Sequence, residues 1–129
     1  MSEIKKYTYG KKEKLKSRKS IDEIFKTGES FPSYPFRIFY KEMDFDADVK
    51  AQVGVSVSKR NFKHAVDRNR IKRLMREAYR LNKHTLIDCL NKQVVVMIVY
   101  TQRKELPFDL INSKMNSTLK KLCADIEKA

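Results

Sequence analysis

Between Asp67 and Lys83 the chain carries Arg68, Arg70, Lys72, Arg73, Arg76 and Arg80, and their spacing says what they are for. At about 100° per residue along a helix, with Ile71 as origin, Leu74, Met75, Ala78 and Leu81 gather on the side of Ile71. Asn69, Lys72, Arg73, Arg76, Arg80 and Lys83 fill the opposite side, and Arg68 and Arg70 flank the apolar stripe. The acids in this stretch are Asp67 and Glu77. A solvated helix face normally mixes signs at i,i+4; here Lys72–Arg76 and Arg76–Arg80 are like pairs, each destabilising a free helix by about a few tenths of a kcal/mol. Phosphates would neutralise them. Guanidinium forks match phosphate oxygens two at a time and stack on bases, so the pattern predicts an ordered nucleic-acid contact.

The whole chain supports a polyanionic partner. Its 129 residues hold 29 Lys and Arg against 16 Asp and Glu, a net charge of +13. Such a field repels itself unless an anion meets it, which leaves nucleic acid or an anionic membrane surface. No apolar stretch approaches the roughly 20 residues of a spanning helix, and Val94 to Tyr100 is the longest apolar run. Met1 to Lys19 are polar and lysine-rich with no apolar secretory core, so a cytoplasmic protein without a membrane partner is expected. Residues 1–16 carry six lysines and read as a mobile basic arm on one domain spanning 1–129.

Other chemistries fit poorly. Cys89 and Cys123 lie far apart, form no C-x-x-C pair and read as two reduced thiols. Asp44, Asp46 and Asp48 imitate the start of a calcium loop, but Val49 stands where the glycine is needed and Val55 where the bidentate glutamate is needed. His64 reads as a loop residue. No Ser/His/Asp or paired-carboxylate spacing occurs, so neither catalytic residues nor a small-molecule substrate is expected.

The elements that must position these residues follow from periodicity. Ile21, Ile24 and Phe25 recur at helical spacing, with a capping box expected at Ser20 and Glu23 and a stop at Gly28. Pro32 and Pro35 break the chain. In 36–40, Phe36, Ile38 and Tyr40 alternate against Arg37 and Phe39; in 51–58, Val53, Val55 and Val57 alternate against Gly54, Ser56 and Ser58. A long helix is expected over about 65–83, with Leu86, Ile87 and Leu90 continuing or capping it. Then come a strand at 94–100, apolar on both faces and hence central, and a last helix striped by Ile111, Met115, Leu119, Leu122 and Ile126. This order predicts an α+β fold, a two-layer sandwich with helices on one sheet face. The other face would show Phe39, Arg37 and small residues to solvent.

The run Val53-Gly-Val-Ser-Val-Ser-Lys59, followed by Arg68-Asn-Arg-Ile-Lys-Arg-Leu74, resembles the signature of the bacterial ribonuclease P protein subunit. The likeness extends back through Ile24-Phe25-Lys26-Thr27-Gly28 to Leu15 and forward through Val94 to Val99. The resemblance implies a mixed sheet of about four strands with three helices and a left-handed β-α-β crossover. It implies a protein that assists a catalytic RNA, with Mg2+, in removing the 5′ leader of precursor tRNA, the RNA carrying the chemistry. It places the catalytic RNA on Arg68, Asn69, Arg70, Lys72, Arg73, Arg76 and Arg80 with Lys59 and Arg60, and makes Asn69 a neighbour of a bound metal. It also implies a leader cleft between the first helix and the sheet. Read from the residues, that cleft would be lined by Phe25, Arg37 and Phe39, with Gly54, Ser56 and Ser58 leaving room for a strand. Core packing is the alternative for Phe25. The family often has an aromatic where Ile21 stands, so apolar packing is expected there. The alternatives to this reading are an RNA-binding protein of another assembly, such as a ribosomal protein, and an autonomous metal-dependent nuclease.

Overall fold

The structure, a computed structural model, describes residues 8–128. Four strands form one sheet: β1 (Glu29–Ser33), β2 (Phe36–Glu42), β3 (Ala51–Val57) and β4 (Val94–Tyr100), in the order β1-β2-β4-β3. The β1–β2 and β2–β4 pairs are antiparallel and β3–β4 is parallel, so the sheet is mixed. The helices are α1 (Arg18–Thr27), α2 (Ala65–Asn82), α3 (His84–Ile87) and α4 (Phe108–Lys128), with a 3₁₀ turn at Lys11–Glu13. The parallel neighbours β3 and β4 are joined through α2 and α3, which is a β-α-β crossover.

Alternation decides which side chains go where. In β2, Phe36, Ile38 and Tyr40 are buried while Arg37 is exposed and Phe39 half-buried. β4 is buried almost throughout, as its place between β2 and β3 requires. Val94, Val96, Ile98 and Tyr100 enter the main core with Ile71 and Met75 of α2 and Ile111, Met115 and Leu119 of α4. Val95 and Met97, on the other face, form a second, smaller core with Leu15 and Ile24.

That second core corrects the expectation of helices on a single face. α1 and the segment before it pack on the sheet face opposite α2 and α4, because Ile24 and Leu15 are buried there. β1 also stands where a break was expected. Pro32 lacks an N–H, but β1 is an edge strand, where a sheet tolerates proline. Four α-helices replace the expected three, since residues 84–87 form a separate short helix. The N-cap of α1 is Ser17, whose hydroxyl accepts from the Ser20 N–H at 3.2 Å, rather than Ser20 with Glu23. Gly28 does end α1, and its N–H donates to Ile24 O at 2.9 Å. A Cβ there would lie 2.5 Å from Ile24 O and 2.8 Å from Tyr40 O, so the turn into β1 excludes any larger residue.

The expected basic arm divides. Residues 1–7 lie outside the described residues. From Tyr9 to Leu15 the chain is docked: Lys14 bridges Val53, Leu15 N–H donates to Val53 O at 3.1 Å, and Tyr9 stacks edge-on against Tyr79 with ring centroids 5.3 Å apart. Glu13 and Lys83 form an ion pair at 2.5 Å, their side chains 12% and 5% exposed. Lys83 therefore does not join the cationic face of α2. Cys89 and Cys123, expected as separate thiols, are joined by a disulfide.

Candidate nucleic-acid interface

α2 buries Ile71, Met75, Ala78 and Tyr79. Leu81, expected inside, is 39% exposed, and Tyr79 fills the core instead. The remaining turns present the cations, which divide into two kinds.

Three arginines are engaged within the protein. Arg68 donates to the Phe62 and Lys63 carbonyls at 2.8 and 2.9 Å, tying the loop before α2 to the helix. Arg70 grips Glu105 with two nitrogens at 2.5 and 2.7 Å and reaches Asp67 at 2.9 Å. The hydrogen bond from Arg70 holds the Glu105 carboxyl below the usual range, and the same contact raises the Arg70 guanidinium. Arg80 pairs with Glu77 one turn back, and its hydrogen bond lowers the Glu77 carboxyl. The face is thus more mixed in sign at its margins than helical spacing suggested, because Glu105 arrives from outside the helix.

Lys72, Arg73 and Arg76 make no ion pair among the described residues, and Arg73, Arg76 and Asn69 are exposed. Lys59 and Arg60, exposed in the loop after β3, are likewise unpaired. They border a depression of about 640 Å³ with Ser58, Asn61 and Arg103. Arg103 was not singled out from the sequence; the basic Arg103-Lys104 pair just after the central strand was the available signal.

On the α1 face of the sheet, Phe25, Phe39 and Arg37 come together. The two rings meet edge-to-face at 4.7 Å, and the Arg37 guanidinium lies 5.8 Å over the Phe39 ring while donating to Ser30 Oγ at 3.2 Å. Phe25 is 47% exposed, which settles against core packing. Sheet register sets the floor: Phe39, Met97 and Gly54 lie in one row, and Arg37, Val99 and Ser56 in the next. Ser58, half-buried, accepts from the Arg60 N–H at 3.1 Å. Gly54 is covered by Leu15 and Met97 instead of open to solvent, so the row leaves less room than its small residues suggested. Ile21, half-buried, packs against the second core and borders a cavity of about 170 Å³ whose wall also includes Arg76. Phe25, Arg37 and Phe39 are not in that wall, so Arg76 borders Ile21 without reaching the aromatic pair.

A family model described as Ribonuclease P matches residues 9–123. The chain belongs to the ribonuclease P protein family. The ribonuclease P protein component of Porphyromonas gingivalis is 38% identical over 124 residues, covering 92% of this chain and 90% of the relative. That of Chlorobium phaeobacteroides is 31% identical over 119 residues, 82% of each. The fold matches the RNase P protein of Staphylococcus aureus with a TM-score of 0.68 at 24% identity, covering 85% of this chain and 94% of that one. It matches the RNase P protein of Thermotoga maritima with a TM-score of 0.67 at 24% identity, covering 84% and 96%. As a ribonuclease P protein component the chain serves in tRNA 5′ processing, in an enzyme whose RNA does the catalysis, and its partner is RNA.

Membership in the ribonuclease P family raises the question of magnesium. Among the described residues no three His, Cys, Asp or Glu side chains converge on a point that could hold a metal ion. Asn69 stands among Lys72, Arg73 and Arg76, surroundings that repel a divalent cation. Among the described residues no helix is long and apolar enough to cross a membrane.

Proposed function

We propose that this ribonuclease P protein uses two separate RNA surfaces. The cationic face of α2, with Asn69, Lys72, Arg73 and Arg76 at its centre, Arg68, Arg70 and Arg80 at its margins and Lys59 and Arg60 beside it, binds the catalytic RNA subunit. The cleft of Ile21, Phe25, Arg37, Phe39, Ser56 and Ser58 holds the 5′ leader of precursor tRNA. The observation that carries this reading is the separation of unpaired cations from exposed aromatics: Arg73 and Arg76 lie on α2, whereas Phe25 and Phe39 meet at 4.7 Å on the α1 face of the sheet.

The chemistry of each surface suits its ligand. Unpaired guanidinium groups neutralise phosphates and release counterions without first breaking an internal ion pair. An exposed aromatic pair stacks bases whatever their identity, which suits leaders of varied sequence, and Arg37 adds a cation beside the stack. Mg2+ is held by RNA and substrate phosphates in this reading, and the assembly works in the cytoplasm. A photo-crosslinker placed at position 39 should attach to the leader of precursor tRNA, and one at position 73 to the catalytic RNA. Attachment of both to the same RNA would overturn the division.

A further inference from the structure

Cys89 and Cys123 take no part in either RNA surface, yet the fold brings them together. Cys89 follows α3, Cys123 lies in α4, and 34 positions separate them in sequence. Their Cα atoms are 6.2 Å apart, within the roughly 4.4–6.8 Å that a disulfide spans without backbone movement. The Cys89 sulfur lies 3.0 Å from the Leu86 carbonyl oxygen and the Cys123 sulfur 3.0 Å from that of Thr85, so each thiol has an acceptor beside it once the bond opens. Both cysteines are half-buried, and Cys89 also borders an open depression of about 270 Å³ with Glu42, Asn91, Lys92 and Glu127.

We propose that Cys89 and Cys123 form a reversible thiol–disulfide site that exchanges with small-molecule disulfides. The Cys89 thiolate attacks one sulfur of a disulfide RSSR, forms a mixed disulfide and expels RS⁻, which takes a proton from water. The Cys123 thiolate then attacks the Cys89 sulfur, the mixed bond breaks, and a second RS⁻ leaves. Two protein thiols lose two electrons and two protons, and one RSSR becomes two RSH. The bond ties the turn after α3 to α4 and restricts the unfolded chain. Arg73, Arg76, Phe25 and Phe39 lie on other elements, so the oxidation state acts first on the persistence of the fold.

The test incubates the full chain at graded ratios of reduced to oxidised glutathione, alkylates the free thiols and reads the intact mass. At high reducing ratio two alkyl groups should add; at high oxidising ratio none, with the mass lower by two hydrogens and the native chain returning on re-reduction. The oxidised form should melt roughly 10 °C higher. Cys123→Ser should stop at a single glutathione adduct on Cys89 and form no internal bond. Two alkylatable thiols at every ratio, adducts or dimers as the sole products of the unsubstituted chain, or a bond that reduces only after unfolding would each overturn the proposal.

Discussion

Replacing Arg73 and Arg76 together by alanine perturbs the cations that α2 leaves unpaired, and its effect on binding to the catalytic RNA follows from counterion release. Each phosphate contact contributes a factor that scales as salt concentration to a power of about −0.7 to −0.9, so at 0.1 M salt one contact is worth about five- to eightfold in affinity. Neither side chain gives up a protein partner on binding, so the double variant should lose roughly 25- to 60-fold at 0.1 M. Its log–log salt slope should fall by about 1.4 to 1.8, and the deficit should vanish near 1 M. Arg70→Ala is the control: Glu105 and Asp67 already neutralise that guanidinium, so its loss should change the slope less than either single substitution. The assay is equilibrium filter binding to the catalytic RNA over 50 to 400 mM salt, with thermal melts of each variant. A normal slope in the double variant, or a slope change in Arg70→Ala as large as in Arg73→Ala, would refute the reasoning.

Two further outcomes concern the docked segment before α1. Lys83→Met strands the Glu13 carboxylate in a site where both side chains are largely buried, so it should cost about 3–5 kcal/mol in urea unfolding, whereas Glu13→Leu with Lys83→Met should recover most of it; equal losses would count against a buried pair. Burial pushes the Tyr9 phenol up to about 12, above its unfolded value near 10, so its contribution is fully present below pH 10 and lost as pH rises through 12. Stability measured at pH 8 and pH 11.5 should therefore fall further in the unsubstituted chain than in Tyr9→Phe, and parallel losses would contradict this.

The α2 face, the strand alternation and the place of β4 were legible in the sequence because each is a periodicity that burial enforces locally. Phe39 follows from alternation with Ile38 and Tyr40 alone. What was not legible depends on contacts distant in sequence. Nothing near Lys83 announces Glu13, so its charge read as one more cation of the helix face; the same holds for Glu105 against Arg70. Arg68 reads as a ligand contact, and the second role of its guanidinium, holding the carbonyls of its own loop, has no signal in helical spacing. Pro32 masked an edge strand, since the residue type that breaks most strands is tolerated at a sheet's rim. The cysteine pairing is likewise a product of α3 and α4 packing, invisible at a spacing of 34.

The two-surface account is tested most directly by the affinities of reconstituted holoenzyme for precursor and mature tRNA, measured with Phe39→Ala. Phe39 is half-buried on the cleft face, and its ring meets Phe25 and the Arg37 guanidinium. Its removal should cut the preference for precursor over mature tRNA by about 1–3 kcal/mol, the size of one base–aromatic stack, while binding of the protein to the catalytic RNA stays unchanged. An equal loss for both tRNAs, or a parallel loss of affinity for the catalytic RNA, would contradict the separation of leader cleft from helix face.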